Sequence, residues 1–183
     1  MITSLLVLNA VYLTVSIIYF GRKLPTYSHV RDTISELGEN GSFFEKTVAY
    51  KVFLPVGLIL IASAVTLYFQ DLPTDIRLNL CGLLACVGIG YVIAAFSPCD
   101  PGSPLTGSVR QSIHNLGGVI EYIGGAYFLI KTALPIFPIL GYLIISTSVA
   151  MSFSFFVPWR GLIQRVAEAG LFGGIIFLSI QAL

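Results

Sequence analysis

Six long apolar runs divide this chain, and they restrict it to a membrane protein. The hydrocarbon core of a bilayer is about 30 Å thick, so an α-helix needs about 20 apolar residues to cross it. Runs of that length lie at Ile2–Phe20, Thr47–Phe69, Leu78–Ser97, Ile113–Thr132, Phe137–Val157 and Leu162–Leu183. The composition agrees, because 56% of the residues are hydrophobic and only 10% are charged, which is too apolar for a soluble domain. The net charge of +1 gives no basic excess for binding nucleic acid.

The runs predict helices, since a backbone inside a bilayer has to satisfy its own hydrogen bonds. We therefore expect an all-α integral membrane bundle of six transmembrane helices that forms a single domain over residues 1–183. The longest connection runs from Gly21 to Lys46. Within it, Asp32 is a suitable N-cap for the residues that follow, Thr33 to Glu36. This pattern predicts a short interfacial helix in the loop after the first transmembrane helix.

The basic residues are divided unevenly between the two ends of the predicted bundle. The loops after helices 1, 3 and 5, with the helix ends beside them, hold Arg22, Lys23, Arg31, Lys46, Lys51, Arg110, Arg160 and Arg165. The opposite side holds only Arg77 and Lys131. Because cytoplasmic loops carry an excess of Lys and Arg, we expect a multi-pass protein of the cell membrane with its odd loops in the cytoplasm and both termini outside.

Whatever the orientation, the three odd loops lie on one side of the membrane, and they hold most of the polar residues that chemistry needs. The opposite side has only short turns. This arrangement predicts a polar pocket that opens on one membrane face. Its predicted members are Tyr27, Ser35, Glu36, Asp100, His114, Asn115 and Arg165, with Glu121 extending the pocket inward.

Four of these residues are candidate catalytic groups: His114, Asp100, Ser35 and Glu36. The ordinary pKa of histidine lies near neutrality, so His114 is suited to act as a general base, a metal ligand or a proton carrier. Ser35, His114 and Asp100 are the residue types of a hydrolytic triad, although a triad is defined by its geometry. In this interpretation Asp100 orients His114 or binds a metal, while Ser35 and Glu36 contact the substrate.

The other four are candidate substrate-binding residues: Arg165, Tyr27, Asn115 and Glu121. Arg165 supplies fixed positive charge for an anionic group, and Glu168, three residues further along the same helix, can also pair with it. Glu121 falls about two turns into the membrane, where a carboxylate costs several kcal/mol unless it is paired or protonated. It is therefore either functional or a protonated group that bonds to a neighbouring helix.

These residues leave the cofactor and the metal open. A zinc ion would have to use His114, Asp100, Cys99 and Glu36, which lack a tight ligand spacing. Three functions remain: a hydrolase or transferase acting on a lipid headgroup, a non-enzymatic lipid or small-ligand binder or proton-linked carrier, and a structural partner in a membrane assembly. The expected partners are the lipid bilayer and a lipid or an anionic small-molecule ligand.

Three stretches resemble the domain-of-unknown-function 998 family of polytopic membrane proteins. The stretch Tyr27-Ser28-His29-Val30-Arg31-Asp32-Thr33-Ile34-Ser35-Glu36-Leu37-Gly38 is similar to that family's loop after the first helix. Ser97-Pro98-Cys99-Asp100-Pro101-Gly102, with the later His114-Asn115, is similar to the family's proline-cysteine-aspartate stretch and histidine. Gly161-Leu162-Ile163-Gln164-Arg165 looks like its final glycine-leucine-x-x-arginine.

The resemblance implies a six-helix fold and a shared polar site. The positions that match the family's motifs are Ser35, Glu36, Asp100, His114 and Arg165. Three positions depart from the pattern: Ser28 stands where an aspartate is usual, His29 replaces a proline, and Ser97 replaces a phenylalanine. The first departure puts in doubt a metal or acid role at that position of the loop.

Overall fold

A computed structural model of the protein describes residues 1–71 and 73–182. In these ranges the chain is helical and contains no strand. The six principal helices are α1 (Ile2–Lys23), α2 (Glu45–Tyr68), α3 (Thr74–Phe96), α4 (109–130), α5 (Ile136–Ala150) and α6 (Arg160–Ala182). Their order is the predicted one, and the all-α class is confirmed for the described residues.

Four of these helices, α1, α2, α3 and α6 together with the turn before it, are long and apolar enough to cross a membrane. The other two helices do not meet these limits of length and composition. Helix α5 has 15 residues, or about 22 Å at 1.5 Å per residue, and α4 carries Arg110, His114 and Glu121. The structure thus describes a helical membrane protein, and the count of six spans stays a prediction.

Several helix boundaries differ from the predicted ones, and two of these differences lie near the polar end of the bundle. Helix α4 begins at Val109 and not at Ile113, because the Ser108 side chain caps it by accepting a hydrogen bond from the backbone N–H of Gln111. Helix α5 ends at Ala150, seven residues before the predicted end. The chain then enters a 3₁₀-helix, Ser154–Trp159, which contains Pro158. Proline cannot donate the backbone hydrogen bond that a longer α-helix would need.

The loop after α1 contains a single 3₁₀-helix, Ser35–Gly38. Asp32 does not cap it as predicted, since its carboxylate accepts from the backbone N–H of Ser28 and from Arg31. The carboxylate of Glu36 instead accepts from the backbone N–H of Thr33 at 2.8 Å. The proposed location of this segment at a membrane interface stays a prediction.

Two helices contain a π-helical segment in the interior of the bundle, Ala49–Phe53 in α2 and Ile120–Gly124 in α4. Such segments interrupt the regular hydrogen-bond ladder and are frequent at functional sites. The second one carries Glu121 and Tyr122, both of which are buried.

Helix α3 lies at the centre of the bundle. It crosses α2 at Gly57 and Gly88, where a Cβ atom on Gly57 would lie 2.6 Å from the Gly88 carbonyl oxygen. Glycines permit this close approach of two helix backbones. Leu83, Leu84 and other α3 side chains are fully buried in the apolar core. The packing places Gly90, in the second half of α3, directly against Glu121 of α4.

Candidate functional site

The three connections 24–44, 97–108 and 151–159 meet at one end of the bundle, as the predicted topology requires. The backbone N–H of Asn40 donates to the Cys99 carbonyl at 2.8 Å, which joins the first connection to the second. The N–H of Gly161 donates to the Arg31 carbonyl at 3.1 Å, which joins the first connection to the start of α6. We call this region the three-loop end.

Ser35 and His114 form a hydrogen-bonded pair inside the three-loop end. The His114 Nε2 atom lies 3.0 Å from the Ser35 hydroxyl, and its Nδ1 atom lies 2.9 Å from the Ser97 carbonyl oxygen. A carbonyl oxygen only accepts hydrogen bonds, so Nδ1 carries the proton and donates. Nε2 is then the unprotonated nitrogen, and the Ser35 hydroxyl donates to it. This is the arrangement of a nucleophile and its general base.

Local structure fixes both partners of this pair. Ser97 ends α3, where the last carbonyl groups have no partner within the helix and are free to accept from His114. Ser35 follows Ile34, whose backbone N–H donates to the Gln164 side-chain oxygen of α6 at 2.6 Å. The serine and the histidine are thus attached to separate helices of the same bundle.

Asp100 lies beside this pair without touching His114. Its carboxylate accepts from the backbone N–H of Ser108 at 2.7 Å, from the Ser108 hydroxyl at 2.8 Å and from Arg110 at 3.3 Å. The backbone hydrogen bond from Ser108, with the further hydrogen bonds, lowers the pKa of Asp100. The place predicted for Asp100 in a triad is taken by the Ser97 carbonyl, which is a correction to that part of the interpretation.

Glu36 and Asn115 also hold backbone segments in place. Glu36 accepts from the Thr33 backbone and hydroxyl and forms an ion pair with Arg160 at 3.3 Å. Asn115 donates to the Leu105 carbonyl at 2.9 Å. Asn115 lines the cavity described below, and its contact with a substrate stays a prediction.

Arg165 and Tyr27 connect the first loop to α6. The Arg165 guanidinium donates to the Tyr27 hydroxyl at 2.6 Å, to the carbonyls of Asp32 and Gly161, and to His29 Nδ1 at 3.1 Å. Burial raises the pKa of Tyr27 to about 12 and lowers the pKa of His29. A guanidinium only donates hydrogen bonds, so His29 Nδ1 accepts from Arg165. With four acceptors in contact, Arg165 holds the loop, and the predicted ion pair with Glu168 is not formed.

Arg160 is a cation of the site that the sequence did not single out. Its Nη2 atom donates to Glu36 and to the Gly102 carbonyl. Its Nε atom is buried and has no hydrogen-bond partner among the described residues. Arg160 lines the same cavity as Ser35 and His114, so it is better placed than Arg165 to meet an anionic group there.

A cavity of about 410 Å³ begins at Ser35 and His114 and extends into the bundle as far as Glu121 and Glu168. This volume is in the range of small-molecule sites. The lining includes Val119 and Val149, which are also 55% and 50% exposed on the outer surface. They indicate that the cavity reaches the surface between α4 and α5, on a side formed mainly by apolar residues.

The inner end of the cavity contains two buried carboxyl groups, one from α4 and one from α6. Glu168 accepts from the Tyr91 hydroxyl at 3.0 Å and from the Tyr122 hydroxyl at 2.6 Å. Glu121 lines the same end of the cavity, next to Glu168. We call Glu121 and Glu168 the carboxyl pair. Glu121 was predicted from its position in an apolar run, and the same criterion applied to Glu168 would have identified its partner.

The comparisons with known proteins give one match. Neither a search of curated proteins nor a search of solved structures found a protein that matches this chain. A family model described as "Protein of unknown function (DUF998)" matches residues 8–180, which is nearly the whole chain and confirms the family suggested by the sequence motifs. The chain belongs to the DUF998 family.

Proposed function

We propose that this protein is a membrane-embedded hydrolase or acyltransferase that acts near the headgroup of a lipid, with Ser35 as nucleophile and His114 as general base. The proposal rests on one observation: the Ser35 hydroxyl lies 3.0 Å from His114 Nε2. The other ring nitrogen, Nδ1, donates its proton to the Ser97 carbonyl. The pair faces a cavity of suitable size.

The chemistry follows from the tautomer. As Ser35 Oγ attacks an ester carbonyl, its proton passes to His114 Nε2, and an O–C bond forms to the acyl group. The ester C–O bond then breaks, and the proton on Nε2 goes to the leaving alcohol. Water or an acceptor alcohol releases the acyl group by the reverse sequence of proton transfers. We assign the Arg160 guanidinium to the negative charge that develops on the substrate, because Arg160 lines the cavity together with Ser35 and His114.

A lipid substrate is supported by the position of the cavity. Its apolar side lies between α4 and α5, where Val119 and Val149 would face hydrocarbon chains in a bilayer, while its polar end lies at the loops. An ester at the boundary between headgroup and chains would meet Ser35 from this side.

The proposal includes six membrane spans, with the three-loop end in the cytoplasm and both termini outside. It is supported by the excess of basic residues at that end. In intact cells, a membrane-impermeant maleimide should label Asp75→Cys at the start of α3, on the opposite side, and should label Thr106→Cys only after permeabilisation. The reverse pattern would reverse the orientation.

The test of the enzymatic proposal is covalent labelling by a fluorophosphonate, which reacts with activated serines. Purified wild-type protein should be labelled at Ser35, and Ser35→Ala and His114→Gln should not be labelled. Ser148→Ala is the matched control, since Ser148 also lines the cavity but its hydroxyl donates to the Ile144 carbonyl of its own helix at 2.7 Å. Labelling that persists in Ser35→Ala, or a folded wild-type protein that takes no label, would reject the proposal.

A second candidate is a non-enzymatic lipid binder or proton-linked carrier. The buried carboxyl pair favours it, because intramembrane carboxyl groups frequently take part in proton transfer. This candidate gains weight if the folded protein binds lipid while Ser35 shows no reaction with the fluorophosphonate.

A further inference from the structure

The hydrogen-bond directions at the inner end of the cavity can be assigned. The backbone N–H of Ile34 can only donate, so the Gln164 side-chain oxygen accepts and its nitrogen donates. That nitrogen lies 3.0 Å from the Tyr122 hydroxyl. The Tyr122 oxygen therefore accepts from Gln164, and its own proton points at Glu168.

These directions assign the proton of the carboxyl pair. Both oxygens of Glu168 accept, one from Tyr91 and one from Tyr122. Two neighbouring carboxyl groups in a buried site cannot both be ionised, so one of them keeps its proton. Glu168 has the two hydroxyl donors and is the carboxylate, Glu121 is the neutral acid, and the pair carries one negative charge.

No cation of the described residues is paired with that charge. The ion pairs found in the described ranges are Arg31 with Asp32, Arg110 with Asp100 and Arg160 with Glu36. Arg165 lies on the same helix as Glu168, but its guanidinium is directed to the first loop. A buried charge in a medium of low dielectric strongly favours a cation that can reach it.

One acceptor of the pair also lacks a donor. Glu121 is only 7% exposed, and its Oε1 atom has no hydrogen-bond partner within the part of the chain that is described. Glu121 lines the cavity, so a donor bound inside the cavity can approach its carboxyl group. Buried polar atoms of native proteins are nearly always satisfied, and an exception calls for an explanation.

We infer that the inner end of the cavity binds the ammonium group of an amphiphilic amine. An ammonium group donates to the Glu121 carboxyl group, its charge is balanced by Glu168, and the cavity also offers the aromatic rings of Tyr91 and Phe53. The apolar wall between α4 and α5 accommodates an attached hydrocarbon chain. Binding of the amine needs no reaction at Ser35. The inference rests on the proposed function only for the further step that the amine belongs to the substrate.

A metal ion fits this end less well than an amine. Hard cations such as Ca²⁺ take six or more oxygen ligands, in general, and two of the oxygens here belong to tyrosine hydroxyls that already donate to Glu168. A search of the described residues found no group of three His, Cys, Asp or Glu side chains arranged to hold a metal.

The first experiment compares three eight-carbon probes by thermal unfolding of the purified protein in lipid nanodiscs. Octylammonium has charge and N–H donors, octyltrimethylammonium has charge without donors, and 1-octanol has a donor without charge. At a concentration ten times its Kd, octylammonium should raise Tm by about 3–6 °C, and the other two should raise it by less than half as much. Equal shifts with 1-octanol or with octyltrimethylammonium would overturn the inference.

The second experiment uses two isosteric variants. Glu121→Gln keeps an acceptor oxygen in the lining of the cavity and leaves the charge of the pair unchanged, so the octylammonium shift should remain. Glu168→Gln removes the negative charge, so the shift should fall to the value seen with 1-octanol. A shift that is unchanged in Glu168→Gln would overturn the inference, and if that variant does not fold, the comparison of the three probes on the wild type decides.

Ser35→Ala separates this inference from the proposed enzymatic function. Octylammonium should stabilise Ser35→Ala as strongly as the wild type. Absence of fluorophosphonate labelling together with a normal octylammonium shift would reject the enzyme and keep the amine site. Labelling at Ser35 with no selective octylammonium shift would keep the enzyme and reject the amine site.

Discussion

Replacing Gly90 by alanine tests the packing that supports the carboxyl pair. A Cβ atom at this position would lie 2.6 Å from the Glu121 Cβ atom and 2.6 Å from its Oε2 atom. The Oε2 atom can rotate away, but the Cβ atom moves only with the backbone of α4. Helices α3 and α4 therefore have to separate locally, or Glu121 has to leave Glu168.

The size of the effect follows from two opposing contributions. Overpacking of a well-filled interior costs about 1–3 kcal/mol. Replacing a glycine within a helix by alanine contributes about 0.5–1 kcal/mol of stability. Gly173→Ala isolates the second contribution, because Gly173 is exposed within α6 and a Cβ atom there would meet no described atom within 4 Å. The two variants should thus differ by about 1–3 kcal/mol, with Gly90→Ala the less stable.

The assay is reversible unfolding in mixed micelles, with helix content followed by circular dichroism, on the two variants and the wild type. The octylammonium shift should also be smaller in Gly90→Ala and unchanged in Gly173→Ala. Equal free energies of unfolding for the two variants would refute the close contact between Gly90 and Glu121 and, with it, the description of the inner end of the cavity.

Two further predictions concern the three-loop end. Ser108→Ala removes the N-cap of α4 and should cost about 0.5–2 kcal/mol of stability in the same unfolding assay. The control is Ser112→Ala, an exposed serine one turn later, which should change stability by less than about 0.5 kcal/mol. Equal effects of the two substitutions would contradict the cap. Burial lowers the pKa of His29, so the unfolded chain takes up the proton first as pH falls below about 6.5, and stability is lost in that range. The unfolding midpoints at pH 7.5 and pH 5.5 should therefore differ less in His29→Gln than in the wild type. An unchanged difference would contradict this role of His29.

The sequence predicts the helices well, because apolar runs and helix caps leave a direct record in residue type. It also places Ser35 and His114 on one side of the bundle, since the loops after odd helices share a side whatever the orientation. The contact between the two depends on the exact position at which α3 ends and α4 begins. Apolar patterning specifies such positions only to within a few residues.

Other parts of the site have no signal in residue type. The Ser97 carbonyl orients His114, and every residue has such a carbonyl, so an acidic residue nearby was the natural choice for this task. Arg165 and Glu168 are correctly spaced for an ion pair. Arg165 instead finds three acceptors in the first loop and the Gly161 carbonyl of its own helix, and Glu168 finds two tyrosines. In both examples, the partner of His114 and the missing Arg165–Glu168 ion pair, groups that are distant in sequence compete for the same side chain.

The π-helical segment Ile120–Gly124 divides α4 into two parts with different phase. A π turn holds one residue more than an α turn, and one residue corresponds to about 100° of rotation. The residues before and after the segment therefore belong to different helical registers. His114 lies before it, and Gly125, which packs against Leu171, lies after it. Removal of one residue from this segment would leave a regular α-helix. In that helix Gly125 could not face α6 while His114 faces Ser35. The length of the chain at this point, and not only its composition, thus determines which side chains line the cavity.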